Sequence, residues 1–495
     1  MTDHSKRRLA PGTIALGVLM LAAASWPRPA MGQGKTVVDQ LTFPKLKEIP
    51  MPAVARETLP NGMKILLVED HDFPIVGFQV MVRGGMLAEP PGKAGLAELT
   101  GIVLRSGGTQ ALTGDALDEL LDRCGASISA NAAADSIRLG GQTLVEYSDR
   151  VLPLLADILR RPAFQQDKLD LASRRMSSSI ARRNDQAMGI AQREFTKLLY
   201  GKGSPYARQL EYADLQGVTR DDLVAYHAKV FRPDQALLAV FGDFKTADMK
   251  ARLAQLFGDW KAGGRPAVYR VPPVPPAKGS VNYVEKKDIA QTFIFLGHPG
   301  LRHDDPDYPA VQVMSDLLGG GFASRIFKKV RTEMGLAYGA GGNIVPAYDH
   351  AGFFFFYTST KPSTTLLALQ TILDEVKRIR EEPVTEEELN YAKSAYLNSY
   401  AFDFDSREKI VRRLLTYEFY GYPADFNTRL RNAVEKVTRD DVARVAKKHL
   451  QPALLSVVAV GIKEQFDKPL DVIGPVTTLD ITIPEPPKAG TKPGK

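Results

Sequence analysis

Alternating apolar and polar positions predict two strands near the start of the chain. The stretch LPNGMKILLVE at 59–69 carries an Asn-Gly turn ahead of an apolar run, and IVGFQVMVR follows at 75–83. Apolar residues at helical spacing come next, and one more stretch alternates, SIRLGGQTL. The pattern predicts a strand at 136–144 and helices at 94–105, 114–124, 146–162, 166–183 and 188–200. Strands and helices in this order indicate an α+β unit.

The closing part of this unit is repeated later in the chain. The sequence VTRDD at 218–222 recurs at 437–441, an offset of 219 residues. At the same offset Lys229 matches Lys448, and both copies run into an apolar strand that ends in glycine. In each copy a Thr followed three residues later by Asp predicts a helix N-cap. We therefore expect two homologous halves of about 220 residues each.

A proline-rich stretch, VPPVPPAKG at 271–279, separates the copies and is typical of an extended linker. The second copy opens with a predicted strand, QTFIFLGH, and a helix at 307–318; a later helix begins at a capping box of Thr385 and Glu388. Each half is expected to be a mixed or antiparallel sheet covered by helices. The predicted organisation is a signal peptide at 1–32, an N-terminal half at 45–265, a linker at 266–280, a C-terminal half at 281–465 and a partly disordered extension at 466–495.

The second half contains a glycine-rich stretch, LGGGFASRIFKKVRTEMGLAY at 318–338. Gly319, Gly320 and Gly321 have no β-carbons, so a second backbone can come close to them. Ser324 is placed to cap the helix that follows. The sequence therefore predicts a tight loop leading into a short helix.

Two polar side chains stand at the far end of that helix. Gly335 is placed to end the helix, and a strand is predicted directly after it. Arg331 and Tyr338 lie seven residues apart across this turn. Both are hydrogen-bond donors suited to a carbonyl oxygen.

Composition and charge exclude several classes of protein. Apolar residues make up 44% and charged residues 24% of the chain, and no internal run is long enough to span a bilayer. The net charge of +7 includes +3 from residues 1–32, which hold four basic residues against one acidic residue. No basic stripe is interleaved with aromatic residues, so we expect no nucleic-acid partner.

The N-terminus has the pattern of a secretory signal. KRR at 6–8 precedes the short apolar run TIALGVLMLAAA, and AMG at 30–32 offers small residues for cleavage. An uncleaved membrane anchor is the alternative, and a twin-arginine signal fits poorly. The single cysteine, Cys124, is expected to be a buried small residue. An exported chain without disulfides is expected in a bacterial periplasm. After cleavage of the signal peptide, we expect no stable membrane span.

Two further stretches have both a functional and a structural interpretation. The aromatic run at 353–357 is typical of a strand buried on both faces, and a ligand groove is the alternative. His298 and His303 flank a turn and could bind a metal with Asp304 or Asp305, but a solvated loop is the favoured interpretation. No two of the seven histidines fall at a three- or four-residue spacing.

These features together resemble the insulinase/pitrilysin family of peptidases, which also contains the mitochondrial processing peptidase and core subunits of the cytochrome bc1 complex. The resemblance covers most of residues 45–465. It rests on the duplicated α+β unit, the LPNG opening at 59–62, the glycine-rich loop and the sequence VRTEMGLAY at 330–338. It implies the fold of a zinc peptidase that acts on extended peptides.

The zinc motif of that family is missing from this chain. Active members carry H-x-x-E-H between GLA, here at 95–97, and GGT, here at 107–109. Counted forward from GLA, the ligand positions are Glu98, Gly101 and Ile102. Counted back from GGT, they are Leu99, Ile102 and Val103. The third ligand of the family is a Glu, and its position holds Ser179. The resemblance thus implies that this chain binds no zinc, and Glu98 is expected to be a surface helix residue.

The second half keeps the residues with which the resembling peptidases bind the substrate backbone. The resemblance implies that Arg331 and Tyr338 hold the substrate carbonyl beside the loop of Gly319, Gly320 and Gly321. We therefore expect a subunit that is inactive alone, pairs with an H-x-x-E-H-bearing homologue that supplies zinc, and binds an extended peptide by strand addition. A catalytically dead scaffold and a stand-alone peptide-binding protein are the alternatives.

Overall fold

The computed structural model describes residues 51–261, 268–276 and 278–486. The predicted signal peptide at 1–32 and the last part of the predicted extension, 487–495, lie outside these residues. The predicted linker at 266–280 lies partly outside them; its described residues 268–276, 278 and 279 form neither helix nor strand, and its last residue begins a strand. Among the described residues, no helix combines the length and apolar character needed to cross a membrane.

The first half alternates hairpins and helices, as the sequence pattern predicts. Its elements are β1 (Ala55–Thr58), β2 (Lys64–Glu69), β3 (Ile75–Arg83), α1 (Leu96–Ser106), α2 (Gly114–Arg123), β4 (Ser127–Ala132), β5 (Ser136–Leu144), α3 (Ser148–Arg160), α4 (Gln166–Ala181), α5 (Ala187–Tyr200), α6 (Tyr212–Gln216), α7 (Arg220–Val230), β6 (Ala236–Gly242) and α8 (Thr246–Phe257).

The second half repeats most of that order. Its elements are β7 (Ser280–Glu285), β8 (Thr292–Pro299), α9 (Tyr308–Gly319), α10 (Arg325–Phe327), β9 (Ala337–Val345), β10 (Phe353–Thr360), α11 (Thr365–Glu381), α12 (Glu386–Tyr400), α13 (Arg407–Tyr420), α14 (Phe426–Lys436), α15 (Arg439–His449), β11 (Ser456–Gly461) and β12 (Val476–Thr478). A π-helical turn, Lys328–Glu333, continues α10.

The two sheets share the same order and directions in five of their six strands, but the outer strand β1 is antiparallel to β2 whereas β12 is parallel to β7. Within the described residues each sheet has six strands, in the orders β1-β2-β6-β3-β5-β4 and β12-β7-β11-β8-β10-β9. Strands β2 and β6 pair in parallel, as do β7 and β11, and the neighbouring β3–β6 and β8–β11 pairs are antiparallel. The predicted fold class, α+β with two homologous halves built on mixed sheets, is confirmed.

The repeated VTRDD sequence begins the same helix twice. The hydroxyl of Thr219 accepts the Asp222 N–H and caps α7, and Thr438 does the same for α15 through Asp441. In both copies the Thr backbone N–H in turn donates to the Asp carboxylate. Each cap satisfies donors at a helix start that have no partner within the helix. The predicted caps are therefore confirmed.

Each half has its own core, which lies between one sheet face and the helices of that half. Cys124 belongs to the first core and is 1% exposed, so the prediction of a buried small residue is confirmed.

The opposite sheet faces are covered by an exchange of helices between the halves. Helix α5 of the first half packs on the second sheet, where Phe195 meets Phe295 with ring centroids 5.0 Å apart. Helix α13 of the second half packs on the first sheet, where Leu415 and Phe419 contact β2, β3 and β6. Strand β6 is buried at every residue because both of its faces are covered. The exchange ties the two halves into one body.

The chain after the second half also lies on the body. Strand β12 pairs in parallel with β7, and the Leu479 N–H donates to the Tyr283 carbonyl. Asn184 of the first half donates to the Ile481 carbonyl at 2.8 Å. Residues 476–481 therefore contact both halves.

The aromatic run at 353–357 differs from its prediction. It forms β10, but burial alternates along it, with Phe354 and Phe356 in the core of the second half. Phe353 and Phe355 lie on the other face, partly covered by α5, and Tyr357 is 36% exposed. The prediction of a strand buried on both faces is wrong at Tyr357. Helix α5 covers only part of the sheet face on which Phe353, Phe355 and Tyr357 lie.

The helix exchange makes a specific prediction about stability. Phe195 is fully buried against the sheet of the other half, so Phe195→Ala should lower the free energy of unfolding by about 3–5 kcal/mol. The matched control is Leu198→Ala on the same helix, where the side chain is 38% exposed. Urea unfolding followed by circular dichroism measures both. A loss under about 1 kcal/mol for Phe195→Ala would contradict the coupling of the halves through α5.

Candidate functional site

The glycine-rich turn allows a close approach of two backbones. Helix α9 runs to Gly319, and a β-carbon built on Gly319 would lie 2.5 Å from the backbone nitrogen of Gly342 in β9. A β-carbon on Gly320 would meet the Asp316 side chain, whereas Gly321 faces open space. The predicted close approach is therefore confirmed at Gly319, and it sets the position of β9 against the end of α9.

The short helix after this turn has the predicted cap and end. The Ser324 hydroxyl accepts the Phe327 N–H at the start of α10. The helix then widens into the π-helical turn, a local form that often occurs at functional sites. Gly335 follows with φ of +61°, and β9 begins two residues later. Because glycine adopts positive φ at little cost, the chain can reverse here and bring Tyr338 back over the helix.

Arg331 lies between two aromatic rings. Its guanidinium carbon is 4.9 Å from the centroid of Phe327 and 4.8 Å from that of Tyr338, both cation–π distances. Phe327 in turn packs edge-on against Phe322, with centroids 5.0 Å apart. Phe322 is 79% exposed and Tyr338 is 81% exposed. We refer to Phe322, Phe327, Arg331 and Tyr338 as the Arg331 stack.

The polar groups of this stack are available to a ligand. Within the described part of the chain, no carboxylate pairs with Arg331 and no hydrogen bond engages the Tyr338 hydroxyl. The neighbouring Glu333 pairs with Lys329 instead, at 2.7 Å. The structure therefore presents a guanidinium and a phenol together on the surface, as donors without an acceptor.

A second feature lies in the first half, at the positions where the resembling peptidases hold metal. Glu98 and Ile102 lie one turn apart on the same face of α1 and line an open cleft of about 410 Å³, with Ser179 of α4 opposite. Leu99 and Val103 are fully buried in the core. Of the two countings, Glu98, Gly101 and Ile102 is the one whose first and last residues face an open cleft. We call this space the Glu98 cleft.

Strand β4 forms one wall of the Glu98 cleft. A β-carbon built on Gly101 would lie 3.1 Å from the backbone nitrogen of Ala132, so α1 and β4 nearly touch there. Ala130, Asn131 and Ala132 all line the cleft. A longer side chain at position 101, such as the Glu of the motif, would have to displace β4 or change its own direction.

Glu98 is not the surface residue that the sequence predicted. It is half-buried, and Arg208 of a distant loop lies in the same cleft. Burial raises the pKa of Glu98, and the positive charge of Arg208 opposes that rise. Arg208 itself is ion-paired with Glu89, whose carboxylate also accepts the Ala97 N–H at 2.8 Å. Periodicity along α1 could not show that Arg208 covers this face.

The residues at the metal positions do not fit zinc. Zinc sites in proteins use three or four Cys, His or carboxylate ligands, and the cleft offers Glu98 alone among such groups. Ile102 cannot act as a ligand, and the Ser179 hydroxyl already donates to the Arg175 carbonyl at 3.2 Å. The Glu98 cleft therefore does not have the ligands that would hold a zinc-bound water.

The two features are separate within one chain. Every residue that lines the Glu98 cleft lies between positions 98 and 210, whereas the Arg331 stack lies between 322 and 338. The lining of the cleft includes no member of the stack. Arg331 and Tyr338, which are predicted to bind the substrate carbonyl, therefore do not line the cleft that contains Glu98, Ile102 and Ser179.

The histidines considered as metal ligands are packing residues. His298 is 2% exposed and accepts the Gln451 N–H, and His303 stacks on Tyr348 with centroids 4.2 Å apart. Burial lowers the pKa of both His298 and His303 to about 4. The prediction of a solvated loop is wrong for both side chains, because aromatic and backbone groups of the second half cover them.

One group of described residues has the composition of a metal site, namely Asp305, Asp307 and His449. Burial would raise the pKa of Asp307, but hydrogen bonds from Lys448, His449 and Arg444 outweigh it and hold that pKa far below its usual range. The carboxylate is already neutralised by side chains, so the group is better explained as an ion-pair network than as a metal site.

Comparison with known proteins agrees with this geometry. Residues 64–204 match the family described as Insulinase (Peptidase family M16), and residues 217–396 match the Peptidase M16 inactive domain. The chain belongs to the M16 peptidase family. The two matched segments fall in the first half and mainly in the second, respectively.

Relatives and solved structures of M16 proteins cover most of the chain. The non-peptidase homolog YmxG of Helicobacter pylori is 26% identical over 405 residues, which are 81% of this chain and 92% of that protein. The uncharacterized zinc protease YmxG of Bacillus subtilis is 23% identical, over 73% of this chain and 87% of that protein. A peptidase M16 inactive domain from Pseudomonas fluorescens superimposes with a TM-score of 0.75 at 26% identity, covering 83% of this chain and 98% of that one.

A more distant M16 structure shares the fold alone. The periplasmic protease PqqL of Escherichia coli gives a TM-score of 0.70 at 13% identity, over 86% of this chain and 49% of that one. Together with the donor set of the Glu98 cleft, the comparisons identify this chain as an M16 homologue of the inactive, non-peptidase kind.

Sequence reasoning missed three residues of these two features. Phe322 and Phe327 lie within the stretch already selected, and the four-residue spacing of Phe327 and Arg331 on a helix is a signal for a ring beneath a cation. Arg208 lies in a loop without a motif, and only the structure brings it to Glu98.

The backbone approach at Gly319 should be sensitive to one added methyl group. We expect Gly319→Ala to lower the free energy of unfolding by about 1–3 kcal/mol, because its β-carbon meets backbone atoms of Gly342 that cannot easily move. Gly321→Ala is the matched control, since nothing lies within 4 Å of its β-carbon, and it should change stability by less than about 0.5 kcal/mol. Equal effects in thermal unfolding would contradict the close approach.

Asp316 predicts a pH dependence of stability beside this turn. Burial raises its pKa to about 6, although Gln312 and Asn343 donate to the carboxylate. A folded-state pKa above the unfolded value means that the native state holds the extra proton between about pH 4 and 6, so stability falls as pH rises through this window. Asp316→Asn should therefore be more stable than the wild type at pH 8, and the difference should vanish near pH 4.

The matched control for this prediction is Asp374→Asn. Asp374 has the same i, i+4 contact from a glutamine, Gln370, but it is exposed. Its substitution therefore controls for the loss of a carboxylate at this helical spacing without the burial of Asp316. Thermal unfolding midpoints across that range measure both variants, and parallel curves for the two would refute the assignment to Asp316.

Proposed function

We propose that this chain is the non-catalytic, substrate-binding subunit of a two-chain periplasmic zinc metallopeptidase. One observation carries the proposal: among the described residues the half-buried Arg331 and the exposed Tyr338 have no carboxylate or hydrogen-bond partner, while the metal positions of the same chain hold Glu98, Ile102 and Ser179. A chain that keeps donors for a substrate carbonyl but lacks a set of zinc ligands in the Glu98 cleft is suited to hold a substrate that another chain cuts.

Arg331 and Tyr338 would act on the backbone of an extended peptide. The guanidinium and the phenol both donate, so together they can hold one carbonyl oxygen and stabilise the negative charge that develops on it. Donors aimed at such an oxygen contribute about 3–4 kcal/mol each in peptidases. The Phe327 ring restricts the rotamers of Arg331 before substrate arrives, which lowers the entropy cost of binding.

The peptide would be held as an added strand. Within the described residues β9 lies at an edge of its sheet and pairs only with β10, and Tyr338 is its second residue. A strand laid along this edge would bring a backbone carbonyl next to the Tyr338 hydroxyl. The glycine-rich turn of Gly319, Gly320 and Gly321 packs on the middle of β9, where Gly319 meets Gly342, and it adds no side chain of its own beside the strand.

A partner is needed because the stack does not line the Glu98 cleft of its own chain. The partner would be a homologous M16 chain with H-x-x-E-H, which would supply the zinc and the general base. This assignment is supported by the description of the Helicobacter pylori relative as a non-peptidase homolog. The periplasmic location is supported by the N-terminal signal pattern, and the structural neighbour PqqL is described as periplasmic.

The proposal is tested by peptidase assays on an unstructured peptide in three samples. These are this protein alone with zinc, an H-x-x-E-H homologue from a neighbouring locus alone, and the two mixed. We expect activity in the mixture to exceed the sum of the separate samples, and Arg331→Ala or Tyr338→Phe to lower it on the order of 100-fold.

The controls are Lys328→Ala, an exposed cation on the same turn, and Tyr391→Phe, a tyrosine that is 55% exposed on α12. Both should keep the activity of the mixture. A homologue that is equally active alone, or variants of Arg331 and Tyr338 that change nothing, would refute the catalytic role. The chain would then be a scaffold or a stand-alone peptide-binding protein of the same fold.

A further inference from the structure

A second cavity lies between the two halves, beside the linker that joins them. Its volume is about 340 Å³, which falls in the range of small-ligand sites. Its lining includes Asp135 of the first half, Asp349 and Tyr420 of the second half, and Val268, Tyr269 and Val271 of the linker. We call this space the inter-half cavity. A ligand bound in it would contact both halves and the linker at once.

Two carboxylates line the cavity from equivalent turns of the two sheets. Asp135 lies in the turn between β4 and β5, and Asp349 lies in the turn between β9 and β10. Each is held by a tyrosine of the opposite half. Tyr420 donates to Asp135 at 2.5 Å, and Tyr206 donates to Asp349 at 2.7 Å. These bonds orient the carboxylates without neutralising them, because a phenol at neutral pH carries no charge.

The negative charge of these two carboxylates is not balanced inside the cavity. Over residues 51–261, 268–276 and 278–486, no lysine or arginine forms an ion pair with either of them. Arg83 is the one cation in the described lining, and it lies 4.2 Å over the Phe419 ring and donates to the Phe419 carbonyl. A third carboxylate, Asp234, is paired with Arg232 at 2.7 Å. Two carboxylates therefore remain against one guanidinium.

Asp349 stays ionised although it is largely enclosed. Burial would raise its pKa, but hydrogen bonds from His350 and Tyr206 outweigh that effect and hold the pKa below its usual range. The bond from His350 Nδ1 is 2.6 Å long, and it adds a positive charge only when the imidazole is protonated. The cavity thus offers an anionic surface for a cation at a pH above the ordinary pKa of histidine.

The linker adds a third polar group. The Tyr269 hydroxyl is shielded from solvent and has no hydrogen-bond partner in the part of the chain that the structure describes. A buried hydroxyl without a partner is costly, and a ligand in the cavity can supply the missing bond. Two carboxylates and one hydroxyl give three accepting groups, which matches the three donors of a primary ammonium. Leu87, Val271 and Phe419 provide apolar surface beside them.

We propose that the inter-half cavity binds a small primary amine, with the ammonium group on Asp135, Asp349 and Tyr269 and an apolar stem against Leu87 and Phe419. The excess of carboxylates favours a cation over an anion, and the unpaired hydroxyl favours a cation that donates hydrogen bonds. The site needs only this chain and shares no residue with the Arg331 stack or the Glu98 cleft, so it does not depend on the proposed function.

The test is titration calorimetry of the full chain with n-butylamine at pH 8. Two ligands of the same stem serve as comparisons. n-Butanol lacks the charge, and butyltrimethylammonium keeps the charge but cannot donate hydrogen bonds. We expect n-butylamine to bind at least about tenfold more tightly than either. Equal binding of the three, or no saturable binding of n-butylamine up to about 10 mM, overturns the proposal.

Isosteric variants locate the site. Asp135→Asn and Asp349→Asn each keep an oxygen for the tyrosine of the opposite half and remove one charge, so each should weaken n-butylamine binding by about tenfold. Asp122→Asn is the matched control, since Asp122 is exposed on α2, and it should leave binding unchanged. Arg331→Ala should leave it unchanged as well. Unaltered binding by both Asp135→Asn and Asp349→Asn overturns the proposal.

Tyr269→Phe separates a ligand-binding role from a structural one. It removes a buried hydroxyl that has no partner in the free protein, so the variant should melt no lower than the wild type while n-butylamine binding weakens by about threefold to tenfold. A variant that melts well below the wild type with its affinity unchanged would mean that this hydroxyl has a structural role, and it overturns the assignment of Tyr269.

A last measurement identifies the source of the ammonium group. The peptide Ala-Ala-Lys-Ala-Ala, blocked at both ends, carries the same butylammonium group on a backbone. Because the cavity is bounded by both halves and the linker, we expect the peptide to bind at least about tenfold more weakly than n-butylamine. Tighter binding of the peptide would assign the site to a lysine side chain and overturn the small-molecule source.

Discussion

The exchange of helices between the halves is the contact on which the rest of the structure depends. A sheet needs cover on both faces when both carry apolar residues, and each half has helices of its own for one face only. The second face of each sheet is covered by α5 or α13 from the other half. Neither half can complete its packing without the other, so the exchange fixes where β4 and β9, the edges beside the two candidate sites, are displayed.

Local signals in the sequence predicted elements whose partners are near in the chain. Thr219, Ser324 and Thr385 were identified as helix caps because each cap bonds within three residues, and the structure has all three. Strand β4 was not predicted, since SISANA holds one large apolar residue and pairs on one side only. The sequence pattern does not predict helix α13, because part of its apolar surface faces a sheet that lies more than 160 residues earlier in the chain.

The candidate sites divide in the same way. The sequence alone predicts that Glu98, Ile102 and Ser179 lie close together. Glu98 and Ile102 share a helix face, and Ser179 follows at the spacing of the resembling family. The same counting described Glu98 as a surface residue, since nothing local reveals that Arg208 and β4 enclose it. The histidines failed for the same reason: His303 is buried by Tyr348, 45 residues away in the chain. The position of a residue along a helix or strand can be predicted from the sequence. The burial of its side chain depends on which distant segments pack against it.

Two arginines six residues apart show why Arg331 is the one suited to a ligand. Arg325 is 8% exposed and makes two hydrogen bonds to Glu388, at 2.6 and 2.8 Å, which anchor α10 to the start of α12. Its role is structural, because it is buried and ion-paired with a carboxylate of the same chain. Arg331 is held by rings rather than by a carboxylate. Since a ring face orients a guanidinium without accepting its hydrogen bonds in the plane, the stack positions the charge and leaves its donors for an incoming carbonyl.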